Sequence, residues 1–418
     1  MAVSIRCGRL VDVEAGEVLR DQLVVVRDGF ITSVRPYRDP PPDDVAVLDL
    51  SGATVVPGLI DCHTHLISVA GCGDFVQELK ESEAEITLHG VAAARDTLRS
   101  GFTTVRDVGT FRGFVDIALR DAIEAGVVEG PRMVCAGAYV TVSGGGGMIT
   151  GLAPDVVLPP TFRSGQVKTV DDVRERVREI MQRGADLIKV IATGAVMAGG
   201  TVPGAPELTE EQIRAAVEEA AWYGGHVAAH AHGAEGIKRA VRAGVRSIEH
   251  ACYLDDEGIE LMLAHGTYLV ADIWWGDWIT ARGREQGWDD EAMRKADETT
   301  EVQREAFARA VKAGVKIAFG SDAGGFPHGI QARQLATHVR YGQSPIEALR
   351  SATLTSAELL GWADRVGSVA AGKHADLVAV AGDGSADVSL FERVDVVMKG
   401  GELVIGAAAA TGGALAAP

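Results

Sequence analysis

The sequence predicts an α/β protein in which a (β/α)₈ barrel is inserted into a small β-domain built from both chain ends. Three observations predict this architecture: eight short apolar runs lie between residues 54 and 322, amphipathic segments separate most of them, and both flanks contain short alternating runs. Strand–helix alternation repeated eight times over about 300 residues is typical of such a barrel. A doubly wound open sheet is the alternative, although that fold does not need eight repeats.

The eight apolar runs have the composition of buried parallel strands, because Val, Ile and Ala dominate them and glycines recur at their ends. Their short length also favours strands over helices. In chain order we place them at residues 54–61, 103–108, 132–140, 186–193, 226–231, 247–253, 267–273 and 316–322.

Two segments between these runs carry clear helix signals. Residues 170–184 place their apolar side chains on one face, and Thr169 precedes them as a candidate N-cap. Residues 208–225 open with a capping box, since Thr209 is followed three residues later by Gln212. We therefore expect a helix in each segment.

The two flanks share a different texture. Residues 1–53 hold short alternating runs separated by clusters of Gly, Asp and Pro, and residues 366–404 repeat this pattern, which predicts strands of a small antiparallel sheet. The predicted organisation is therefore a β-domain from 1–53 and 366–404, a barrel over 54–365, and a flexible, low-complexity tail over 405–418.

Composition narrows the class of function. Hydrophobic residues make up 47% and charged residues 23% of the chain, values typical of a soluble globular protein. The net charge of −18 argues against nucleic-acid binding, and no apolar run reaches the roughly 18 residues that a membrane helix needs. Five cysteines without paired spacing, and a first segment unlike a signal peptide, favour the cytoplasm. We therefore expect a small-molecule partner.

Polar residues at strand ends come first in the search for chemistry, because barrel active sites lie at the carboxyl ends of the strands. His63 and His65 end the first strand, and alternation points both imidazoles to the same side, where they suit one metal ion. A chance pair is the alternative. Lys189 lies inside the apolar run LIKVIATG, and a buried ammonium needs a paired carboxylate, a lowered pKa or chemical modification.

Three further strands also end in candidate ligands. His230 and His232 end the fifth strand, His250 ends the sixth, and Asp322 ends the eighth among small residues that allow close approach. A single histidine at a strand end is more often a satisfied polar group than a ligand. The joint placement of these residues favours a metal site over chance.

Longer motifs accompany these residues: VVPGLIDCHTHL, SGFTTVRDVG, GADLIKVIATG, VAAHAHGAEGIKRA, AGVRSIEHACYLDDEGIELM, AGVKIAFGSDAG, LRSATLTSAELLG and GSVAAGKHADLVAV. Nearly end to end, the chain resembles the amidohydrolase superfamily. It is most similar to the binuclear-zinc branch that contains Xaa-Pro dipeptidases, related carboxypeptidases and imidazolonepropionase-like enzymes. The resemblance implies a TIM-like barrel inserted into a split β-sandwich.

The resemblance also implies a role for each ligand. His63, His65 and Asp322 would hold one divalent metal ion, most simply Zn²⁺, and His230 and His250 a second. Lys189 would be carboxylated and bridge both ions, which resolves the problem of its burial. A hydroxide shared by the ions would attack the substrate, while Asp322 takes up its proton and passes it to the leaving amine.

Several positions depart from the family pattern and bear on substrate binding. Gly146 stands where dipeptidase-like relatives carry a histidine, in a run that includes Gly145; two interpretations stay open, backbone donors for an anion and a lid hinge. His232 stands where relatives often have Tyr, and it is either a substrate contact or a hydrogen-bond partner behind the ligands. His328 is a further candidate pocket residue. Three tryptophans are candidates for an aromatic wall or for lid packing: Trp274, Trp275 and Trp278.

We therefore predict a cytoplasmic, metal-dependent amidohydrolase that cleaves a C–N amide bond in a dipeptide or N-acyl amino acid. Hydrolysis of a cyclic amide, urea or carbamate is the alternative, and a non-catalytic binding protein is a remote one. A homo-oligomer is expected, without nucleic-acid or membrane partners.

Overall fold

The computed structural model describes residues 2–38, 46–68, 76–153 and 155–406, so the predicted tail lies outside the described residues from 407 onward. The strands are β1 (Ala2–Asp12), β2 (Glu17–Arg27), β3 (Phe30–Pro36), β4 (Ala46–Pro57), β5 (Leu59–Thr64), β6 (Phe102–Asp107), β7 (Arg132–Cys135), β8 (Tyr139–Val142), β9 (Gln166–Val167), β10 (Ile188–Ile191), β11 (Val227–Ala231), β12 (Ser247–His250), β13 (Tyr268–Val270), β14 (Ile317–Ala318), β15 (Leu377–Ala381), β16 (Val396–Lys399) and β17 (Glu402–Ile405).

The α-helices are α1 (Gln77–Lys80), α2 (Glu83–Arg99), α3 (Val115–Glu124), α4 (Val170–Gln182), α5 (Glu210–Ala221), α6 (Ala234–Ala243), α7 (Asp256–His265), α8 (Trp275–Arg282), α9 (Asp290–Ala313), α10 (Arg333–Arg340), α11 (Pro345–Arg350) and α12 (Ser356–Leu360). A π-helical turn, Ser351–Thr355, connects the last two, and 3₁₀ turns occur at Pro160–Arg163 and Val388–Glu392. No helix among the described residues is long and apolar enough to cross a membrane.

Strands from both flanks share one sheet, in the order β17-β16-β15-β4-β1-β2-β3. The sheet is mixed where a purely antiparallel one was predicted, because β4 lies on the far side of β1 from β2 and runs parallel to it. β15 pairs with β4 antiparallel and so joins the two chain ends. β4 continues to Pro57, so the predicted boundary between residues 53 and 54 falls inside this strand.

The mixed sheet has a hydrophobic core of its own. One cluster of buried side chains comes from its strands and the turn before β15, without a contribution from any described helix. These side chains are almost fully shielded from solvent, so residues of the sheet and of the turn before β15 bury one another. Representative members are Ile5, Val24, Ile31, Val55, Leu377 and Met398.

The remaining strands are parallel and alternate with helices along most of the chain, as predicted. They form a seven-stranded sheet, β14-β13-β12-β11-β10-β8-β9, and a three-stranded sheet, β5-β6-β7. Backbone hydrogen bonds link the two sheets on both sides: Cys62 N–H donates to the Phe319 carbonyl and Asp186 N–H to the Cys135 carbonyl, each at 2.8 Å. The carboxyl ends of these strands therefore meet on one side of the molecule.

Two predicted runs each span two strands. Residues 54–61 contain the end of β4 and the start of β5, and residues 132–140 contain β7 and the start of β8. Gly137, with φ of 74°, separates the second pair. The helix predictions are confirmed, since Thr169 and Thr209 cap α4 and α5 and the capping box at Gln212 forms.

Candidate metal centre

Side chains from five strand ends converge on one cavity. β5 positions His63 and His65, β10 contributes Lys189, β11 and β12 contribute one histidine each, and the segment after β14 contributes Asp322. All six predicted ligands line this cavity, together with His232. The convergence follows from the parallel strand order, which brings carboxyl ends together.

The first of two potential ligand sets combines His63, His250 and Asp322, whose ligand atoms all lie within 4.8 Å of one another. Asp322 Oδ1 is 3.5 Å from His63 Nε2 and 3.3 Å from His65 Nε2. Both His250 (φ 68°) and Asp322 (φ 60°) have left-handed backbone conformations, which cost a non-glycine residue about 1 kcal/mol or more and cluster at functional sites.

The second set contains His230, His232 and His250, with ligand atoms again within 4.8 Å of one another. His230 and His250 are the two histidines predicted for a second ion. His232 was predicted to contact substrate, and the structure brings it into the same group.

Most of these imidazoles are held through Nδ1, which leaves Nε2 facing the cavity. The acceptors are Glu249 Oε2 for His63 (2.8 Å), the Gly109 carbonyl for His65 (2.8 Å) and Asp272 Oδ1 for His250 (3.0 Å). A metal-ligating histidine almost always donates its other ring nitrogen in this way. Nitrogen and carboxylate donors in this arrangement fit divalent ions such as Zn²⁺.

Burial sets the protonation states of the group. It lowers the pKa of His63 and His230 well below the usual range, so both rings are neutral and offer a lone pair. Burial lowers the pKa of Lys189 to about 8. Burial alone would raise the pKa of Asp322, but neighbouring His63 and His65 outweigh it and hold that pKa below the usual range.

A buried ionic network behind His63 was not predicted from the sequence. Arg106 is fully buried in β6 and donates to the Cys62 carbonyl (2.6 Å), Ser247 Oγ (3.0 Å) and Glu249 Oε1 (2.8 Å). The other oxygen of Glu249 accepts from His63. The sequence did contain a signal for this network. Arg106 lies within the apolar run 103–108, and a buried arginine needs a partner for the same reason as Lys189.

Three further residues around the ligands were not predicted from the sequence either. Asp272 follows β13 and binds His250, and Gln303 of α9 donates to Asp272 Oδ1 at 2.8 Å. Tyr139 lines the cavity and donates to the Gly109 carbonyl at 2.9 Å. Asp272 could have been predicted, because it is an acidic residue at the end of the seventh apolar run, 267–273.

Only some of the predicted substrate contacts line the cavity. Gly146 lines the cavity, but its N–H donates to both oxygens of Glu207, at 3.0 and 2.9 Å. Among the described residues that line the cavity, Gly145 and His328 are absent. His328 instead contacts Thr97 Oγ1 at 3.0 Å and the His65 carbonyl at 3.2 Å. The Gly146 N–H, one of the backbone donors of the glycine run, is therefore already bound to the carboxylate of Glu207.

The three tryptophans divide between the two predicted roles. Trp275 lines the cavity. Trp274 and Trp278 pack against Phe326, with ring centroids 5.0 and 6.3 Å away. One tryptophan therefore lies in the cavity wall, and the other two pack against Phe326.

Comparison with known proteins places this centre in a family. The sequence profile described as the amidohydrolase family matches residues 54–404. The chain belongs to the amidohydrolase family. The resemblance inferred from the motifs is confirmed, and so is the expectation of a hydrolase that acts on carbon–nitrogen bonds in a metal-dependent family.

Three relatives of this amidohydrolase illustrate its range. Ochratoxinase of Aspergillus niger is 32% identical over 414 residues, which cover 94% of this chain and 84% of that protein. A crystal structure of a Xaa-Pro dipeptidase with bound methionine in the active site is 36% identical, with a TM-score of 0.90, and covers 97% of this chain and 100% of that one. Imidazolonepropionase of Paracoccus denitrificans is 28% identical over 386 residues, 85% of this chain and 86% of that protein.

The cavity of this amidohydrolase contains few basic groups. Among the residues that the structure describes, Lys189 is the only lysine or arginine that lines it. The segments outside the described ranges contain no lysine, arginine or histidine in the sequence. Apolar side chains of Phe111, Ile191, Val196 and Trp275 form much of the wall.

Proposed function

We propose that this amidohydrolase cleaves the amide C–N bond of a small molecule at a binuclear metal centre. The observation that carries the proposal is the convergence of His63, His65, Lys189, His230, His250 and Asp322 on one cavity, with Asp322 within 3.5 Å of two imidazole nitrogens. These groups come from five strand ends, and a buried cluster of this kind is expensive unless it binds something.

We also propose that β5, β6, β7 and β10–β14 close into a (β/α)₈ barrel. The hydrogen bonds from Cys62 to Phe319 and from Asp186 to Cys135 support closure at the two places where the sheets are separate. The β-sandwich and the division at residues 53, 365 and 404 stay predictions. Strands β1–β4 and β15–β17, which share one sheet, support a β-domain built from both ends.

The metal ligands are proposed residue by residue. His63, His65 and Asp322 would hold one ion, His230 and His250 the second, and carboxylated Lys189 would bridge them; we propose Zn²⁺ at both sites. The bound ions supply Lewis acidity, which acidifies water and polarises a carbonyl group. Glu249 and Asp272 orient His63 and His250 through Nδ1.

Carboxylation suits the environment of Lys189. No described carboxylate lies at ion-pair distance from its Nζ, and the negative charges of Glu249 and Asp322 only partly offset the effect of burial on its pKa. Because burial lowers its pKa to about 8, a substantial fraction of the amine is neutral near pH 7 to 8. The neutral nitrogen attacks CO₂, a C–N bond forms, one proton leaves to solvent, and an anionic carbamate results.

Asp322 is the proposed proton carrier. Its Oδ1 lies beside His63 Nε2 and His65 Nε2, at the centre of the ligand group. As a carboxylate it can accept a proton from the attacking water and return it to the departing amine, a contribution typically worth about 10²–10⁴-fold in rate.

We propose a dipeptide or an N-acyl amino acid as the substrate, which the similarity to the Xaa-Pro dipeptidase supports. The second candidate is a neutral cyclic amide, urea or carbamate, and the scarcity of basic side chains in the cavity favours it. A substrate carboxylate would need a cationic partner, and Lys189 is proposed to be an anionic carbamate.

Matched substrates decide between these candidates. The Zn²⁺-loaded protein should be assayed with pairs that differ only in a free carboxylate against its primary amide, and with cyclic ureas. A dipeptide or N-acyl amino acid hydrolysed at least tenfold faster than its amide supports the first candidate, and the reverse order supports the second. No hydrolysis of any amide by protein that holds two ions would contradict the proposed function.

The location and assembly of the protein stay predictions. The four described cysteines are free and buried, which supports the proposed cytoplasmic location.

A further inference from the structure

We propose that His232 is a third imidazole ligand of the second metal ion, so that His230, His232 and His250 retain this ion even when the carbamate at Lys189 is lost. The inference rests on the proposed metal centre. It concerns a residue for which the sequence predicted only a substrate contact or a supporting hydrogen bond.

The three rings form a compact group. The centroid of the His232 ring is 4.5 Å from that of His230 and 4.9 Å from that of His250, and the last two are 4.6 Å apart. His232 and His250 are nearly parallel, with an interplanar angle of 23°. All three residues are at least nine-tenths buried, and their ligand atoms lie within 4.8 Å of one another.

The position of His232 along the chain matches that of His65, a ligand proposed for the first ion. It comes two residues after His230, at the end of β11, just as His65 comes two residues after His63 at the end of β5. Residues two apart on a strand point to the same side. The fifth strand therefore presents the same two-imidazole arrangement as the first.

The anchoring of His232 follows the pattern of the predicted ligands. Its Nδ1 lies 2.9 Å from the Sγ atom of buried Cys252, as Nδ1 of His63 and of His250 each meet a carboxylate. When Nδ1–H donates to the sulfur, the Nε2 lone pair is free to bind a metal. The opposite tautomer would place an N–H on Nε2 and make His232 a donor to substrate.

Three imidazoles make the second site independent of the bridge. Three histidines with one open position are a complete protein ligand set for a catalytic zinc ion. A site built from only His230 and His250 would need the Lys189 carbamate to complete it. Loss of the carbamate should therefore release an ion from a two-histidine site but leave one bound at a three-histidine site.

Metal stoichiometry tests this directly. After loading with Zn²⁺ and dialysis against a weak chelator, Lys189→Ala should retain both ions, because His63, His65 and Asp322 still provide three ligands for the first ion. Lys189→Ala combined with His232→Phe should retain only that first ion. In the otherwise unchanged chain, His232→Phe should weaken binding of one ion at least tenfold by chelator competition. For a second variant, Cys252→Ala, the matched control is Cys135→Ala, because it removes a buried thiol whose Sγ donates to the Asp116 carbonyl; its zinc affinity should be unchanged.

Cys252→Ala provides a second route if His232→Phe does not fold. Removal of the Nδ1 partner should lower the affinity for one ion by about 10–100-fold and change the visible spectrum of the Co²⁺-loaded protein. Two ions bound with unchanged affinity in His232→Phe or in Cys252→Ala would overturn the inference and leave the proposed function intact. Wild-type protein that binds no metal would overturn both.

Discussion

Replacing Glu249 with glutamine should strongly destabilise the protein, because it removes the negative charge that balances a buried guanidinium. Arg106 and Glu249 are both fully buried, and the Arg106 Nη2–Glu249 Oε1 distance is 2.8 Å. Glutamine has nearly the same shape, so packing changes little. The substitution therefore isolates the charge and one acceptor oxygen.

The structure allows the size of the effect to be worked out. Breaking a buried ion pair by removing one partner costs about 3–5 kcal/mol. Glu249 accepts from Arg106 and Ser247 at one oxygen and from His63 at the other. Glutamine has only one acceptor oxygen, so at least one donor faces its NH₂ group and loses a partner, which costs about 1–3 kcal/mol. We expect destabilisation of at least about 3 kcal/mol, and about 10–100-fold weaker metal binding at His63.

Urea unfolding followed by tryptophan fluorescence measures the first quantity, and chelator competition measures the second. Glu298→Gln is the control, because Glu298 pairs with Arg294 at 2.8 Å but both side chains are more than half exposed. Exposed pairs of this kind contribute about 0–1 kcal/mol. Equal destabilisation by Glu249→Gln and Glu298→Gln would show that the Glu249 carboxylate is not needed to balance the charge of buried Arg106.

Three further substitutions have defined outcomes. Asp322→Asn should keep most of the metal but lower kcat by about 10²–10⁴-fold, since an amide is a poor base; a kcat within about threefold of wild type, measured with both ions bound, would exclude proton transfer by this residue. Lys189→Ala should lose activity and regain part of it when short-chain carboxylates and metal are added, and full activity without them would show that no carbamate is needed. His338 is neutral in the folded protein because burial lowers its pKa from 6.5 to about 4. The unfolded chain therefore binds more protons between these values, and stability falls as the pH drops through this window. In His338→Asn, the free energy of unfolding in urea, measured at pH 4.5, 5.5 and 7, should change less between pH 7 and 4.5, by about 2 kcal/mol; an unchanged pH dependence would contradict the assignment.

The sequence was sufficient to predict that the candidate ligands meet at one cavity, because the signals for these residues are local. The alternation of His63 and His65, and the position of Asp322 after an apolar run, can be read within a few residues. Their supporting partners depend on pairs that are remote in the chain. Glu249 and His63 lie 186 positions apart, and Glu207 and Gly146 lie 61 apart, so only the folded chain reveals these contacts.

Strand boundaries were predictable only where the sequence interrupts the apolar pattern. The run TVVPGLID reads as one strand, but Thr54–Pro57 pairs with β15 and Leu59 begins β5 in a different sheet. The change of sheet occurs at Gly58, where an added Cβ would lie 2.1 Å from Thr103 Oγ1. Whether β4 runs parallel or antiparallel to its neighbours likewise depends on its place beside β1, and the order of the strands is set by the whole sheet and not by the local sequence.

The pairing of β4 with β15 has a consequence for the synthesis of this protein. Pro57 pairs with Leu377, so one edge of β4 stays without its partner while the ribosome adds about 300 residues. At about 5–20 residues per second, this interval is on the order of 15–60 s. An unpaired strand edge is a template for wrong association, so the nascent chain is most vulnerable to aggregation during this time.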